Sequence, residues 1–327
     1  MLRSTSPPPR RSPGSTLKPF LYAQALELGL ITPDAVLADA PEHAAGIGNA
    51  DHDYLGPLLP RQALANSRNI PATNLLRRIG LTRGYAQLRA LGLTHSDAPA
   101  ERYGLAMAIG ALPTTLDHLM TAYLTLAEDG IAQNLAWTDT PQAPHRVIAA
   151  EPARLVGRFL SDPMARLPTF PRYGASEFPF TTALKTGTSQ GYRDAWTLAW
   201  TQDYAVGIWI GRPDGAPMAQ ISGARGAARL AQALLLGLHQ AGRTDLQAGD
   251  LPAPAGWSEA ELCTTTGRAR PCSGQLTEWV QARTEATPPP RLDIIQPDPD
   301  THIWQNPEAP PSLNRLVLRA IADPAVP

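Results

Sequence analysis

The sequence predicts an α+β fold, and three observations carry that prediction. Helix-compatible apolar runs dominate its first half. Three short stretches rich in Trp, Thr, Val and Ile follow, and one apolar helical run comes after them. Helices, then strands, then a helix argue α+β, with an antiparallel sheet flanked by helices.

Taken in order, residues 1–13 are rich in Ser, Pro and Arg and read as a disordered start. Pro13-Gly14 breaks the chain before a helix over Thr16 to Leu30, ended by Gly29 and Pro33. Residues 39–56 are rich in Gly, Asp and His and read as a loop. Helices are expected over 60–66, 71–79 and 83–91, before Ser96-Asp97-Ala98-Pro99 interrupts them. Residues 114–128 carry Leu116, Leu119, Met120, Tyr123, Leu124 and Ala127 at helical spacing, with Thr114 as the expected N-cap. A loop over 133–146 and a helix over 152–160 follow. The strand-like runs are 181–188, 195–201 and 204–211, with Gly191 in the first connection and Gln202-Asp203 in the second; they read as an antiparallel meander. A helix over 225–239 follows, and beyond residue 241 Pro, Gly and Ala dominate. The organisation expected is a main domain over 14–243, a Pro/Gly-rich extension over 244–290, and over 291–327 the start of a β domain too small to fold alone.

The bulk properties exclude several functions. The chain has 327 residues, 43% apolar and 17% charged, enough for a sizeable core. Its net charge of −1 leaves no electrostatic footprint for nucleic acid or an anionic membrane. The longest apolar run, around 231–238, is too short to span a bilayer, and the start lacks an apolar signal core, so no export or anchor segment is expected. Cys263 and Cys272 have no His cluster beside them, so no metal site is expected. They admit either a local disulfide in an oxidising compartment or two free thiols. No motif calls for a cofactor. The seven histidines are scattered, and none falls in the motifs below.

The chain carries 28 Lys+Arg, of which only Lys18 and Lys185 are lysine. An ammonium can lose its proton when buried, whereas a guanidinium cannot. The two lysines are therefore the first places to look for chemistry. Ser15 and Lys18 stand at i,i+3, on one face of a helix that begins near them. Lys18 would serve as the base for Ser15 if burial and nearby positive charge lower its pKa. Asn66-Ser67-Arg68-Asn69 ends a helical stretch; Ser67 and Asn69 present a hydroxyl and a carboxamide two residues apart, though the same residue types also serve as plain helix caps. Lys185-Thr186-Gly187-Thr188-Ser189 lies on the first strand. Gly187 there admits close approach of another backbone. Lys185 suits a substrate carboxylate, Thr186 and Thr188 supply hydroxyls, and the N–H groups of Thr188 and Ser15 would form an oxyanion hole.

In this order S-x-x-K, S-x-N and K-T-G-T-S resemble the motifs of penicillin-binding transpeptidases and serine β-lactamases. The flanks Arg11-Ser12-Pro13-Gly14-Ser15-Thr16-Leu17-Lys18-Pro19-Phe20, the run from Lys185 to Trp196, and Gly207-Ile208-Trp209-Ile210-Gly211-Arg212-Pro213-Asp214-Gly215 are similar to class A penicillin-binding proteins of the 1C type. The resemblance covers roughly 11–240, and the segments beyond it resemble the start of that type's C-terminal extension. It implies the penicillin-recognising serine transpeptidase fold and a peptidoglycan D,D-transpeptidase. Ser15 would be acylated by the D-Ala-D-Ala end of a stem peptide, with Lys18 as base. Ser67 and Asn69 would assist proton transfer and positioning, while Lys185, Thr186, Gly187 and Thr188 would bind the carboxylate of substrate or β-lactam. Whole family members are periplasmic, anchored in the inner membrane, and carry a glycosyltransferase.

The sequence departs from that pattern at its start. Only fourteen residues precede Ser15, and the strands that the family places there are absent, so the chain reads as N-terminally truncated. Those strands would help bury Lys18; without them a sheet edge is exposed and the lysine pKa is expected to stay higher. The competing readings are a catalytically inactive remnant and a carboxypeptidase or β-lactamase-like hydrolase, for which no deacylating carboxylate stands out. Gly187-Thr188-Ser189-Gln190-Gly191 also matches the α/β-hydrolase elbow, which needs a helix after the serine.

Overall fold

A computed structural model describes residues 9–41, 46–133, 135, 143–241, 249–269, 272 and 274–281, and the backbone of 292–296 and 319–322. The chain forms two compact units, Met1–Gln281 and Ala282–Pro327.

In the first unit a tight 3-10 turn, Gly14–Leu17, runs into helix α1 (Lys18–Glu27). The hairpin β1 (Leu37–Asp39) with β2 (Gly56–Leu58) follows, then α2 (Pro60–Ala65), α3 (Asn69–Ile79), α4 (Leu81–Ala90) and α5 (Leu116–Ala127). Strands β3 (Ile131–Ala132) and β4 (His145–Arg146) pair, and α6 (Ala150–Ser161) precedes the meander β5 (Ala183–Thr188), β6 (Asp194–Trp200), β7 (Ala205–Gly211). A single π turn, Gly223–Ala227, leads into α7 (Ala228–Gln240), and β8 (Trp257–Cys263) pairs with β9 (Gln275–Gln281) as a hairpin.

The sheet order is β5-β6-β7, all antiparallel, with Lys185 opposite Leu198 and Thr186 opposite Thr197. Period-2 alternation splits it between two cores. Ala183, Trp196, Leu198 and Trp200 join the large core with Phe20, Leu21, Leu76, Tyr123 and Phe159 from the helices. Leu184, Ala199 and Val206 face the opposite way, against Ala231 and Leu235 of α7. Every residue of β6 is buried, as a central strand covered on both faces must be.

Several expectations need correction. Residues 1–8 and most of 133–146 lie outside the described residues, but Arg11–Pro13, expected in a disordered start, is ordered. Arg11 exchanges main-chain hydrogen bonds of 2.8 and 2.9 Å with Thr114. Thr114 is therefore a bridge residue, and the N-cap of α5 is Thr115. The 39–56 loop carries a short hairpin at its ends, and His145–Arg146, expected in a loop, is a strand. Beyond residue 241, composition hid the β8–β9 hairpin, closed by a Cys263–Cys272 disulfide. Its Trp257 and Trp279 pack against the helical core. Much of 286–313 lies outside the described residues. In the second unit β10 (Leu292–Gln296) pairs antiparallel with β11 (Arg319–Ala322).

Candidate active site

The site begins at Pro13-Gly14. Gly14 has φ +57, and a Cβ there would stand 2.5 Å from the Thr188 carbonyl oxygen. A Cβ at Gly187 would stand 2.4 Å from the Pro13 carbonyl oxygen. Two glycines thus let the turn carrying Ser15 press backbone to backbone against β5, as the motif predicts for Gly187. In a 3-10 turn residues i and i+3 eclipse, which lines up Ser15 with Lys18 at the first position of α1. Ser15 is half-buried, and its hydroxyl makes no hydrogen bond among the described residues.

Lys18 is fully buried. Its Nζ donates to the Ser67 carbonyl and to Asn69 Oδ1 at 2.6 Å, and lies 3.4 Å from Ser67 Oγ. The expectation that absent strands leave this amine solvated is overturned: α1 sits inside the helical core, between α3 and α6, and buries it.

Ser67 sits in the break between α2 and α3, in the left-handed region at φ 59. Such a backbone costs a non-glycine residue about 1–3 kcal/mol and persists only where its surroundings fix it. They do so here. Asn66 donates to the carbonyls of Gln62 and Ala165 at 3.0 and 2.7 Å. The Asn69 N–H donates to Asn49 Oδ1 at 2.8 Å. Arg68 is buried and donates to Asp39 at 2.7 Å and Asp51 at 2.6 Å. The stretch is therefore both a helix stop and a cleft wall.

Lys185 is 2% exposed; its Nζ donates to Ser67 Oγ at 2.8 Å and to the Thr186 carbonyl at 2.8 Å. The cation expected to face a substrate carboxylate lies beneath the cleft, against Ser67. Above it, the ladder bond from Ser189 N–H to Asp194 O fixes the alternation, so the N–H groups of Thr186 and Thr188 point to the open edge of β5. Thr188 Oγ1 accepts from the Gly223 N–H at 3.1 Å.

Burial, then the neighbouring Lys185 and Arg68, pushes the Lys18 amine well below the ordinary lysine range, with Asp39 opposing. Burial brings Lys185 down to about 7. A neutral Lys18 amine has two N–H donors, which the Ser67 carbonyl and Asn69 satisfy, and a lone pair left for a serine hydroxyl.

A cavity of about 200 Å³ joins these parts. Ser15, Ser67, Asn69, Thr186, Gly187 and Thr188 line it, with Asn49, Asp51, Arg68, Thr169 and Phe170 completing the wall. Sequence reasoning missed Asp39, Asn49, Asp51 and Arg68, which orient the S-x-N segment; acids and amides in a loop carry no periodic signal. Among the described residues, no histidine lines the cavity. The hydrolase elbow fails: Ser189 is buried, its hydroxyl donates to Asp194 Oδ2 at 2.9 Å, and one 3-10 turn then leads into a strand.

A family model described as the penicillin binding protein transpeptidase domain matches residues 7–223. The chain is 37% identical over 213 residues to penicillin-binding protein 1C of Escherichia coli strain K12, covering 64% of this chain and 27% of that protein. It is 32% identical over 234 residues to penicillin-binding protein 1A of Neisseria meningitidis, covering 62% and 28%. The chain thus spans about a quarter of the length of these relatives. In backbone it is similar to penicillin-binding protein 1A of Haemophilus influenzae, with a TM-score of 0.67 at 22% identity, over 85% of this chain and 49% of that one. The penicillin-binding protein PonA1 of Mycobacterium tuberculosis gives a TM-score of 0.61 at 20% identity, over 80% and 74%. With the matched span enclosing all three motifs, the chain belongs to the penicillin-binding protein transpeptidase family.

Proposed function

We propose that this chain is a peptidoglycan D,D-transpeptidase domain that works through an acyl-enzyme on Ser15. The observation that carries the reading is that both lysines of the chain are buried at one serine, Ser67, beneath a cavity lined by Ser15. Neutral Lys18 takes the proton of Ser15 Oγ as Oγ attacks the penultimate D-alanine carbonyl. The N–H groups of Ser15 and Thr188 hold the developing oxyanion. The C–N bond breaks, and the leaving D-alanine amine takes the proton, relayed through Ser67. The amine of a second stem peptide then attacks the ester and loses a proton to Lys18, which passes it to Ser15 Oγ as the acyl C–O bond breaks. Asn69 holds a substrate amide, and Thr186 and Thr188 bind the terminal carboxylate, with Lys185 acting through Ser67.

A β-lactam would acylate the same serine. Hydrolytic release needs a base for water, and Asp51 is the one carboxylate lining the cavity among the described residues. Arg68 occupies it at 2.6 Å and holds its carboxyl below the ordinary range although partial burial opposes this. That favours a long-lived adduct over a β-lactamase or carboxypeptidase. The burial of Lys18 argues against an inactive remnant. The Cys263–Cys272 disulfide suits an oxidising compartment such as the periplasm. No helix among the described residues is long and apolar enough to cross a membrane.

The test is incubation with a labelled penicillin followed by peptide mapping. The expected adduct is stable, lies on Ser15, disappears in Ser15→Ala and survives in Ser189→Ala. An unlabelled protein, or label on another residue, overturns the reading.

A further inference from the structure

We propose that the β8–β9 hairpin is a brace that positions Ser67, bearing on it through Glu278 at one point and Gly267 at the other. The proposal rests on the acyl-serine reading above. The hairpin lies beyond residue 223, where the family match ends. Glu278, on β9, is fully buried and takes the Arg61 guanidinium through two hydrogen bonds, Nε at 2.9 Å and Nη2 at 2.7 Å. Such a fork fixes orientation as well as distance. Arg61 belongs to α2, whose end at Ala65 leads directly into Asn66-Ser67. Six residues are too few for a helix to hold itself in place, so the aim of α2 comes from its tertiary contacts.

The second point is the hairpin tip. Gly267 has φ +65, and a Cβ there would stand 2.0 Å from the Asp34 carbonyl oxygen. Asp34 lies just ahead of β1, whose last residue, Asp39, holds Arg68 beside Ser67. The disulfide closes the loop that carries Gly267. The hairpin thus bears on the chain before Ser67, through α2, and on the partner of the residue after it, through β1. A serine in a strained backbone, shared by both lysines, needs that over-determination. Arg61 and Glu278 are accordingly positioning residues.

The experiment uses the full chain as wild type, as Glu278→Gln, as Gly267→Ala, and as wild type with its disulfide reduced. The reduced arm requires no variant to fold. Hydrogen exchange is read at the amides of residues 67–69, which are bonded in the structure. Acylation by a labelled penicillin is followed across pH. The brace predicts exchange at 67–69 faster by about tenfold or more in the altered proteins. It also predicts acylation slower by about tenfold, with the low-pH limb displaced and the half-saturating penicillin concentration unchanged. Faster exchange confined to 257–281, with 67–69 at the wild-type rate, overturns it. So does an acylation loss that follows only the folded fraction, with the pH profile unmoved. A wild type that never acylates removes the acyl-serine reading instead, and the exchange comparison alone still decides the brace.

Discussion

Lys18 and Lys185 meet at one hydroxyl: the Ser67 oxygen lies 3.4 Å from the first amine and 2.8 Å from the second. Two ammonium groups so placed, both out of water, repel each other strongly. Below about pH 7, where Lys185 keeps its proton, the pair is most stable with one proton missing, and Lys18, pressed by its burial, then by Lys185 and Arg68, is the one to lose it.

Removing that amine tests its role. Lys18→Met keeps the length and apolar stem of the side chain but removes the base proposed for Ser15. Acylation by labelled penicillin should fall by about 10²–10⁴-fold, with the circular dichroism spectrum unchanged. A variant that acylates at the wild-type rate rules Lys18 out.

Stability should depend on pH with a definite sign. Between about 7, where burial sets Lys185, and the ordinary lysine value, the unfolded chain binds a proton that the folded chain lacks. Raising the pH through that window therefore stabilises the fold, by about 1.4 kcal/mol per pH unit for one lysine. Higher still, Tyr22 and Tyr123, whose hydroxyls burial pushes up, reverse the slope because the unfolded tyrosines ionise first. Urea denaturation of wild type and Lys185→Met at several pH values checks this: the rise should weaken in the variant. An unchanged slope would show that Lys185 keeps an ordinary affinity for protons.

Arg68→Met should cost about 3–5 kcal/mol, because Asp39, fully buried, is left without its partner. The double variant Asp39→Leu/Arg68→Met should recover most of that loss. Denaturant midpoints of the two proteins give the comparison; equal midpoints would mean the pair is not coupled.

Gly187→Ala brings a methyl group into the Pro13 carbonyl and pushes the Ser15 turn off β5. Acylation should fall by about 100-fold, since displacements near 1 Å cost that much. Stability should fall by about 1–3 kcal/mol. Full acylation in this variant would mean that the turn and β5 need not touch.

Most of the framework was legible because it rests on periodicity. The apolar spacing of 114–128 became α5, and the Trp/Thr/Val/Ile runs became β5, β6 and β7 with boundaries shifted by a residue or two. Motif order brought Ser15, Ser67, Asn69 and Thr186–Thr188 to one cavity. What stayed hidden depends on contacts distant in sequence. Asp39 and Arg68 form a buried pair 29 residues apart, and Glu278 reaches Arg61 across 217. An isolated acid in a Gly- and Asp-rich segment looks the same whether it is solvated or buried. The burial of Lys18 is hidden from local sequence for a related reason: the helices of the same chain enclose it, and no local pattern around residue 18 records that.

The lysine inventory has a practical consequence. All of the amine nitrogen carried by side chains is shut inside the protein, so an acylating or cross-linking reagent that seeks such groups finds none on the native surface. Covalent tagging at either position would then be a clock for the opening of this one region, read against a background free of other lysines.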